Sequence, residues 1–486
     1  MSLSSTMNTA KSILTNTSTQ SQVVSKNISN SQTQGYVQRD ATTIMNANGD
    51  ATVVTVRNGD AILQKQMLTA NSQSQGQTTL DDGLTQLNAL LGGNSYDLSP
   101  SSYMTKLVNA LQSYEAQPSQ TSLAQSAVSA AQDLANSLNT TSQGVQTVRA
   151  QADASIKSDV SKLNDLLSQF QTANKAVVQA TAAGTDANDA LDQRDKIVQD
   201  ISKIIGVSTV TRGNNDMALY TNNGTVLFDK LPRTVTFTAT GGYGAGTTGN
   251  PVYIDGVPLK AGTGGNTTAQ GSMEANLQIR DDIAPQMQEQ LDEQARGLIN
   301  LFSETPNGST DDPVPGLFTY ADSDGSSPTD PTIVPGIASE ITVNTAYVTA
   351  DNGDPTLLRD GGANGDSYKW NTDGSSSYST LLDKYVTAFD TSMDFDSSAG
   401  LGDSATLTDY ASNSIAWLQQ YRSTSDSAKE SKSALSQRAT EAYQNKTGVN
   451  LDEELSKMLD IEQSYKASTK LINAVDTMLQ SLLEIA

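Results

Sequence analysis

Apolar residues over the first 30 positions fall at helical spacing: Leu3, Met7, Ala10, Leu14, Val24 and Ile28, with Thr17 and Ser21 interrupting the stripe. The spacing predicts a helix over 3–30 with one narrow apolar face. A helix so weakly amphipathic is marginal in water without a partner surface. The other end of the chain carries a stronger stripe: Leu451, Met458, Ile461, Tyr465, Ile472, Val475, Leu479 and Leu482. These positions follow the 3.5-residue spacing of a coiled-coil seam, with Glu454 and Ser468 as the exceptions. A helix over 451–483 is about 50 Å long at 1.5 Å per residue. Asn450, three residues before Glu453, gives it a capping-box-like start.

Between these ends the periodicity changes several times. Ala41–Met45 and Ala51–Val56 flank Asn48-Gly49, which predicts a β-hairpin. Residues 60–207 read as mostly helical. Ser99-Pro100 starts one helix, with Ser as N-cap and Pro at the first position. Pro118 breaks it. A much longer helix follows, with Leu134, Leu138, Val145 and Val148 on one stripe, a phase slip near Ala152, then Ile156, Val160, Leu163, Leu167, Phe170 and Val177. Gly184 ends it, and Asp189–Ile205 supplies another helix. Val-Thr-rich runs separated by Asn223-Gly224, Gly241-Gly242 and Asp255-Gly256 predict short strands over 207–270. Helix returns at Ser272–Phe302. Residues 306–380 are rich in Gly, Pro, Asp and Ser and read as a β-rich or irregular, well-solvated insert. Ala405–Asn445 is one long polar helix.

The expected fold class is therefore α+β and multidomain: long terminal helices and a helical bundle or coiled coil, with inserted β-rich outer domains. Residues 1–40 with 446–486 form a terminal helical unit. Residues 41–206, 271–305 and 381–445 form a rod-like helical unit with the hairpin. Residues 207–270 are a β-rich insert and 306–380 an acidic variable one. The ends are expected to pair with each other or with neighbouring copies, while the middle loops outward.

Composition narrows the chemistry. The 486 residues contain no Cys and no His, so disulfides, Cys/His zinc sites and His-based triads are excluded. Ser, Thr, Asn and Gln number 180, more than the whole hydrophobic class at 36%, so any core is thin for the length. Asp and Glu (53) exceed Lys and Arg (30), giving a net charge of −23. Such a chain repels phosphate backbones and anionic lipid, so no nucleic-acid partner and no membrane insertion are expected. Residues 311–400 hold 15 acidic residues against 3 basic ones. No run approaches a membrane span, and Met1–Gln20 lacks the features of a cleaved signal peptide.

Four stretches carry a family resemblance. The first is Asn27-Ile28-Ser29-Asn30 with Thr33, Gly35-Tyr36 and Arg39; the second is Arg57, Asp60, Leu63 and Gln66. The third is Asn188-Asp189-Ala190-Leu191-Asp192-Gln193-Arg194-Asp195 with Gly206-Val207. The fourth is Gly448-Val449-Asn450-Leu451-Asp452-Glu453-Glu454 with Tyr465, Ala467 and Ser468. Over roughly 1–300 and 400–486 the chain resembles the hook-associated protein 1 family, which joins hook to filament in bacterial flagella. Val37-Gln38 departs from the family's usual Thr-Arg-like pair.

The resemblance implies a non-catalytic structural part of the extracellular flagellum, secreted through the flagellar type III route without a cleaved signal peptide. It implies assembly as a helical ring through the terminal helices, by head-to-tail contacts. The implied partners are the hook protein, the second hook–filament junction protein, further copies of the chain and a dedicated export chaperone held by the C-terminal helix. The assembly residues it marks are Ile28, Asn30, Gly35 and Tyr36, together with Leu451, Met458, Ile461, Tyr465, Ile472, Val475, Leu479 and Leu482.

No residue pattern argues for catalysis, a cofactor or a metal. Asp322-Ser323-Asp324-Gly325 and Asp351-Asn352-Gly353-Asp354 lack the ligand ladder of a calcium loop. Gly241–Gly246 is not followed by a phosphate-binding helix. Asp192 and Asp195 are i,i+3 neighbours near Arg194 and read as a bundle-stabilising polar cluster. Competing readings are another flagellar axial protein and a secreted acidic adhesin. The stretch Asn188–Asp195 argues against hook-type and rod-type proteins.

Overall fold

The computed structural model describes residues 3–33, 35–45, 51–306, 312–321 and 325–485, with side chains from 6 to 481. The Asn48-Gly49 turn, Asp322–Asp324 and the Leu482 side chain lie outside the described residues. Helices α1 (Leu3–Asn30), α2 (Ala61–Leu90), α3 (Pro100–Ala116), α4 (Thr121–Ala183) and α5 (Asn188–Ile204) precede α6 (Ser272–Gln278) and α7 (Ala284–Leu301). A π-helical turn, Ile279–Ile283, fuses α6 and α7 into one run. Single turns α8 (Ile337–Glu340) and α9 (Leu357–Asp360) lead to α10 (Thr380–Phe389), α11 (Leu407–Thr447) and α12 (Leu451–Ile485).

The helix limits have local causes. Asp60 accepts from the Ile62 and Leu63 N–H groups and starts α2. Ser99 Oγ accepts from Ser102 N ahead of Pro100. Gly184 closes α4 in the left-handed region at φ +67°. Asn450 accepts from Asp452 N and Glu453 N at the head of α12, and Glu453 turns to Lys457.

Two cores share α4. The first gathers Leu84, Leu107, Leu134, Leu138, Val148, Met287, Leu298, Leu382 and Leu407, so α2, α3, the first half of α4, α7, α10 and α11 pack together. The second gathers Ile156, Leu167, Phe170, Val198, Ile201, Leu219, Phe228 and Leu277. The stripe of α4 changes partner between Ala152 and Ile156. The slip foreseen near Ala152 is the run Val148, Ala152, Ile156, Val160, three successive steps of four that rotate the seam onto a new neighbour.

The second core is closed by an antiparallel sheet of β3 (Val207–Thr211), β4 (Met217–Thr221), β5 (Val226–Asp229) and β6 (Leu231–Pro232), in that order. A smaller sheet, β7 (Val235–Thr236), β8 (Tyr253–Ile254) and β9 (Val257–Pro258), follows. Phe170 of α4 meets Phe228 of β5 edge to face at 4.9 Å.

The described residues of 306–380 are largely irregular, but the expectation of a well-solvated segment does not hold for many of them. Leu317, Phe318, Ile337, Ile341, Tyr347 and Leu358 are buried in the first core. The buried carboxylate of Glu304 explains how irregular backbone can enter it. It accepts from the N–H groups of Gly362 (3.0 Å), Ala363 (3.2 Å) and Asn364 (3.1 Å) and from Asn364 Nδ2 (2.8 Å). One charge thus satisfies donors that no ladder pairs.

The termini pair within the chain: α1 packs along α12, as Asn27 with Glu454 and Ser21 with Met458 show. Strands β1 and β2 appear earlier in the chain, as an antiparallel hairpin of Arg39–Met45 and Ala51–Arg57, joined to α1 by hydrogen bonds from Ser12 Oγ and Asn16 Nδ2 to the Ala51 carbonyl.

Candidate functional site at the terminal joint

The four signature stretches, whose outermost joined residues lie 427 positions apart, meet at the base of the α1–α12 pair. Asn27 sits on the last turn of α1. Its Nδ2 donates to the Arg39 carbonyl and to Glu454 Oε2, both at 2.8 Å, and its Oδ1 accepts from Tyr36 Oη (2.8 Å) and Arg39 N (3.1 Å). All the hydrogen-bonding capacity of this amide is directed at the loop between α1 and β1 and at α12. Burial pushes the Tyr36 hydroxyl up to about 12, against the pull of the neighbouring Arg39.

Glu454 is completely buried. It accepts from Asn27, from Gln38 Nε2 (2.8 Å) and from Lys457 Nζ (3.1 Å). Lys457 also reaches Asp40 at 3.3 Å. Burial lowers the Lys457 pKa, but hydrogen bonds to Glu453 and Glu454 outweigh it and hold the ammonium above its ordinary range. At the unusual pair, Val37 packs with Met67 and Tyr443, while Gln38 takes Glu454 and donates its N–H to the Thr447 carbonyl at 2.7 Å.

A ladder of charges then runs onto α5. Lys26 pairs with Asp189 at 2.6 Å, and Arg39 with Asp189 at 2.5 Å and Asp192 at 3.0 Å. Arg57 pairs with Asp192 at 2.7 Å and Asp195 at 2.8 Å. The Arg39 side chain is 1% exposed, and its Nε and Nη1 have no partner. Burial raises the Asp192 pKa in spite of Arg57 and Arg39. At Asp189, burial acts upward but the bonds from Lys26 and Arg39 win, and its pKa is lowered.

The structure brings Asp192 and Asp195 together but not Arg194. Two residues from Asp192, Arg194 points to another side of the helix, where it donates to Asn174 Oδ1 (3.1 Å) and the Asn215 carbonyl (2.5 Å). The arginines that serve the two aspartates are Arg39 and Arg57, from the first two signature stretches.

The assembly candidates divide by exposure. Ile28, Asn30, Gly35 and Tyr36 are half-buried. Gly35, at φ +86°, makes a turn that disfavours other residues. On α12, Val475 is buried and Met458, Ile461 and Ile472 are half-buried against α1. Leu451, Tyr465 and Leu479 are 39%, 48% and 40% exposed. The two polar exceptions on the stripe, Glu454 and Ser468, are buried. Leu455, Leu459, Leu471 and Met478 lie off the 3.5-residue register and are exposed apolar residues that the spacing does not single out. Gly35, Tyr36, Gln444, Gly448 and Val449 border a polar groove of about 550 Å³ beside the joint.

Known proteins share these parts. The flagellar hook-associated protein FlgK helical domain matches residues 84–311, and the flagellar basal body rod FlgEFG protein C-terminal region matches 440–485. Flagellar hook-associated protein 1 of Salmonella typhimurium is 28% identical over 238 residues, 46% of this chain and 42% of its own length. The protein of that name from Escherichia coli K12 is 24% identical over 236 residues with the same shares, and that from Bacillus subtilis 24% over 171. The chain is thus similar to the flagellar hook-associated protein 1 family over these stretches. The matched stretch spans less than half of these curated relatives. The solved flagellar hook junction protein FlgK from Burkholderia pseudomallei shares the fold, with a TM-score of 0.57 over 78% of this chain and 99% of that one at 14% identity. The hook-associated family is one of structural flagellar proteins, and none of the described helices here is long and apolar enough to cross a membrane.

Proposed function

We propose that the chain is a non-catalytic adaptor that joins the flagellar hook to the filament. The observation that carries this is the terminal pair itself: α1 and α12 cover only part of each other's apolar surface, leaving Leu455, Leu459, Tyr465, Leu471 and Met478 exposed on one 35-residue helix. Exposed apolar residues in such number mark a surface meant to be covered. Copies of the chain cover it by head-to-tail packing in a helical ring. The hook protein lies below that ring and the second junction protein above it. A dedicated chaperone holds α12 before export, laying the helix in a groove, and the chain works outside the cell.

The test is deletion of the gene in its host, electron microscopy of the cells and an assay for flagellin in the medium. Bare hooks with unpolymerised flagellin outside are expected, restored by this gene and not by that of the second junction protein. Missing hooks would move the protein down the axis to a rod or hook part. Normal filaments would refute the adaptor role.

A further inference from the structure

Where the two cores meet, α2, α4 and α6 leave an open crevice of about 370 Å³ between them. Leu90 of α2 lies against Gly144 of α4. Nearer the start of α2, the Ser72 carbonyl accepts from Gly271 N, beside the Ser272 hydroxyl that donates to Asp159. The two helices therefore run antiparallel, and α6 floors the space between them. Val148, Ala152 and Ile279 give the crevice an apolar base. Asp82 stands level with about Ala152, and Asp159 lies two turns further along α4, on the order of 10 Å away along the axis. The crevice thus has a carboxylate towards each end. No lysine or arginine borders it among the described residues. Lys429 pairs with Asp81 at 2.8 Å and stands 3.9 Å from Asp82, which is mostly exposed.

Asn276 of α6 shows that the crevice is built to receive something. It is only 7% exposed, it lines the crevice, and its side-chain amide makes no hydrogen bond among the described residues. A buried amide without a partner works against folding, so its retention asks for a ligand. Asp159 has a related deficit. One carboxylate oxygen accepts from Ser272 Oγ at 2.6 Å. Burial raises its pKa, and neither that bond nor the charge of Lys162 makes up for it. A π-helical turn begins at Ile279, in the same helical run as Asn276, and such turns recur at functional sites.

We propose that this crevice binds an elongated organic cation with an ammonium group at each end, a linear polyamine. One ammonium takes Asp159 and the Asn276 amide oxygen, and the other takes Asp82. The methylenes between them lie over Val148, Ala152 and Ile279. The spacing of the two carboxylates fits an extended triamine. It does not fit an inorganic divalent ion, whose oxygen ligands must converge on one point.

The test is calorimetric titration of the full chain with spermidine at physiological salt, where diffuse attraction to the net charge of −23 is screened. Saturable one-to-one binding is expected. Asn276→Leu should weaken it at least about tenfold without lowering the unfolding temperature, because no bond within the chain is lost. Asp159→Asn and Asp82→Asn should each weaken it by a similar factor; Asp82 is exposed, so that variant keeps the fold. Asp351→Asn makes the same charge change at an exposed site far along the sequence and should leave binding unchanged. n-Butylamine, with one ammonium, should bind at least about a hundredfold more weakly. Uptake without saturation overturns the proposal, as does equal weakening by Asp351→Asn and Asp82→Asn. So does full affinity in Asn276→Leu, a lowered unfolding temperature in that variant, or displacement of spermidine by an equal concentration of magnesium ion. None of these outcomes depends on whether the chain serves at the hook–filament junction.

Discussion

Asn27 and Glu454, 427 positions apart, share a 2.8 Å hydrogen bond with both side chains buried. Each also holds the loop between them, Asn27 through Arg39 and Tyr36 and Glu454 through Gln38. The start and end of the chain are thus tied by side chains that donate and accept without surplus. Glu454→Ala leaves Gln38 Nε2 and one of the two Asn27 Nδ2 hydrogens buried without an acceptor, the other still donating to the Arg39 carbonyl. It is expected to weaken the α1–α12 pairing by about 2–4 kcal/mol. Amide exchange should quicken in both terminal helices and stay unchanged in α4. Equal quickening in α4 would show that the bond supports the whole chain.

Arg194 belongs to the opposite outcome. It ties α5 to Asn174 of α4 and to the loop before β4. Arg194→Ala is expected to cost about 2–3 kcal/mol in urea unfolding of the bundle, with terminal exchange unaffected. Faster exchange in α1 would place it in the joint after all.

Glu274 lies on the first turn of α6 and accepts from Gln270 N at 2.8 Å, with no cation facing it. Burial pushes its carboxyl up to about 7, above the ordinary 4.5. The folded chain therefore holds this proton more tightly than the unfolded chain. Its contribution favours folding below the ordinary pKa and is lost as pH rises from about 4.5 to 7. Glu274→Gln keeps the acceptor oxygen and removes the charge. The variant should gain on the order of 2–3 kcal/mol over the native chain at pH 8 and almost nothing at pH 4.5. A gain of the same size at both pH values would rule out titration as the cause.

Glu304 anchors the irregular stretch through four donors around residue 363. Glu304→Ala removes their acceptor and is expected to destabilise this region by about 3 kcal/mol. Limited proteolysis should then cut within 312–380 while leaving α4 and α7 whole. Cleavage at the native rate would mean that Phe318 and Tyr347 hold the segment by packing alone.

The long helices were legible because their stripes are long. α4 declares both its extent and its rotation in the order of Val148, Ala152, Ile156 and Val160. The burial of Leu317, Ile337 and Tyr347 was not legible, because they are scattered among Gly, Pro and Asp without a period, and a single distant carboxylate brings them in. The joint was half legible. Motif resemblance marked Arg39, Arg57, Asp192 and Glu454 one by one, but no local spacing could pair residue 39 with 189 or 27 with 454. Local spacing also set Arg194 beside the wrong partners, since neighbours in sequence point to different sides of a helix. On α12, Glu454 and Ser468 looked like faults in a seam and are among its most enclosed positions, because Glu454 meets Asn27 of α1 and Ser468 Oγ turns back to the Ser464 carbonyl of its own helix.

α4 spans 63 residues, about 95 Å, without a break, and both cores are built on it. Tension applied at one end of α4 therefore passes from the first core to the second along a single hydrogen-bonded backbone, unbroken where the cores meet between Ala152 and Ile156. Under pull or torque α4 makes one stiff spar of the two cores, and its far end passes through Gly184 to the aspartates of α5 that take the salt bridges.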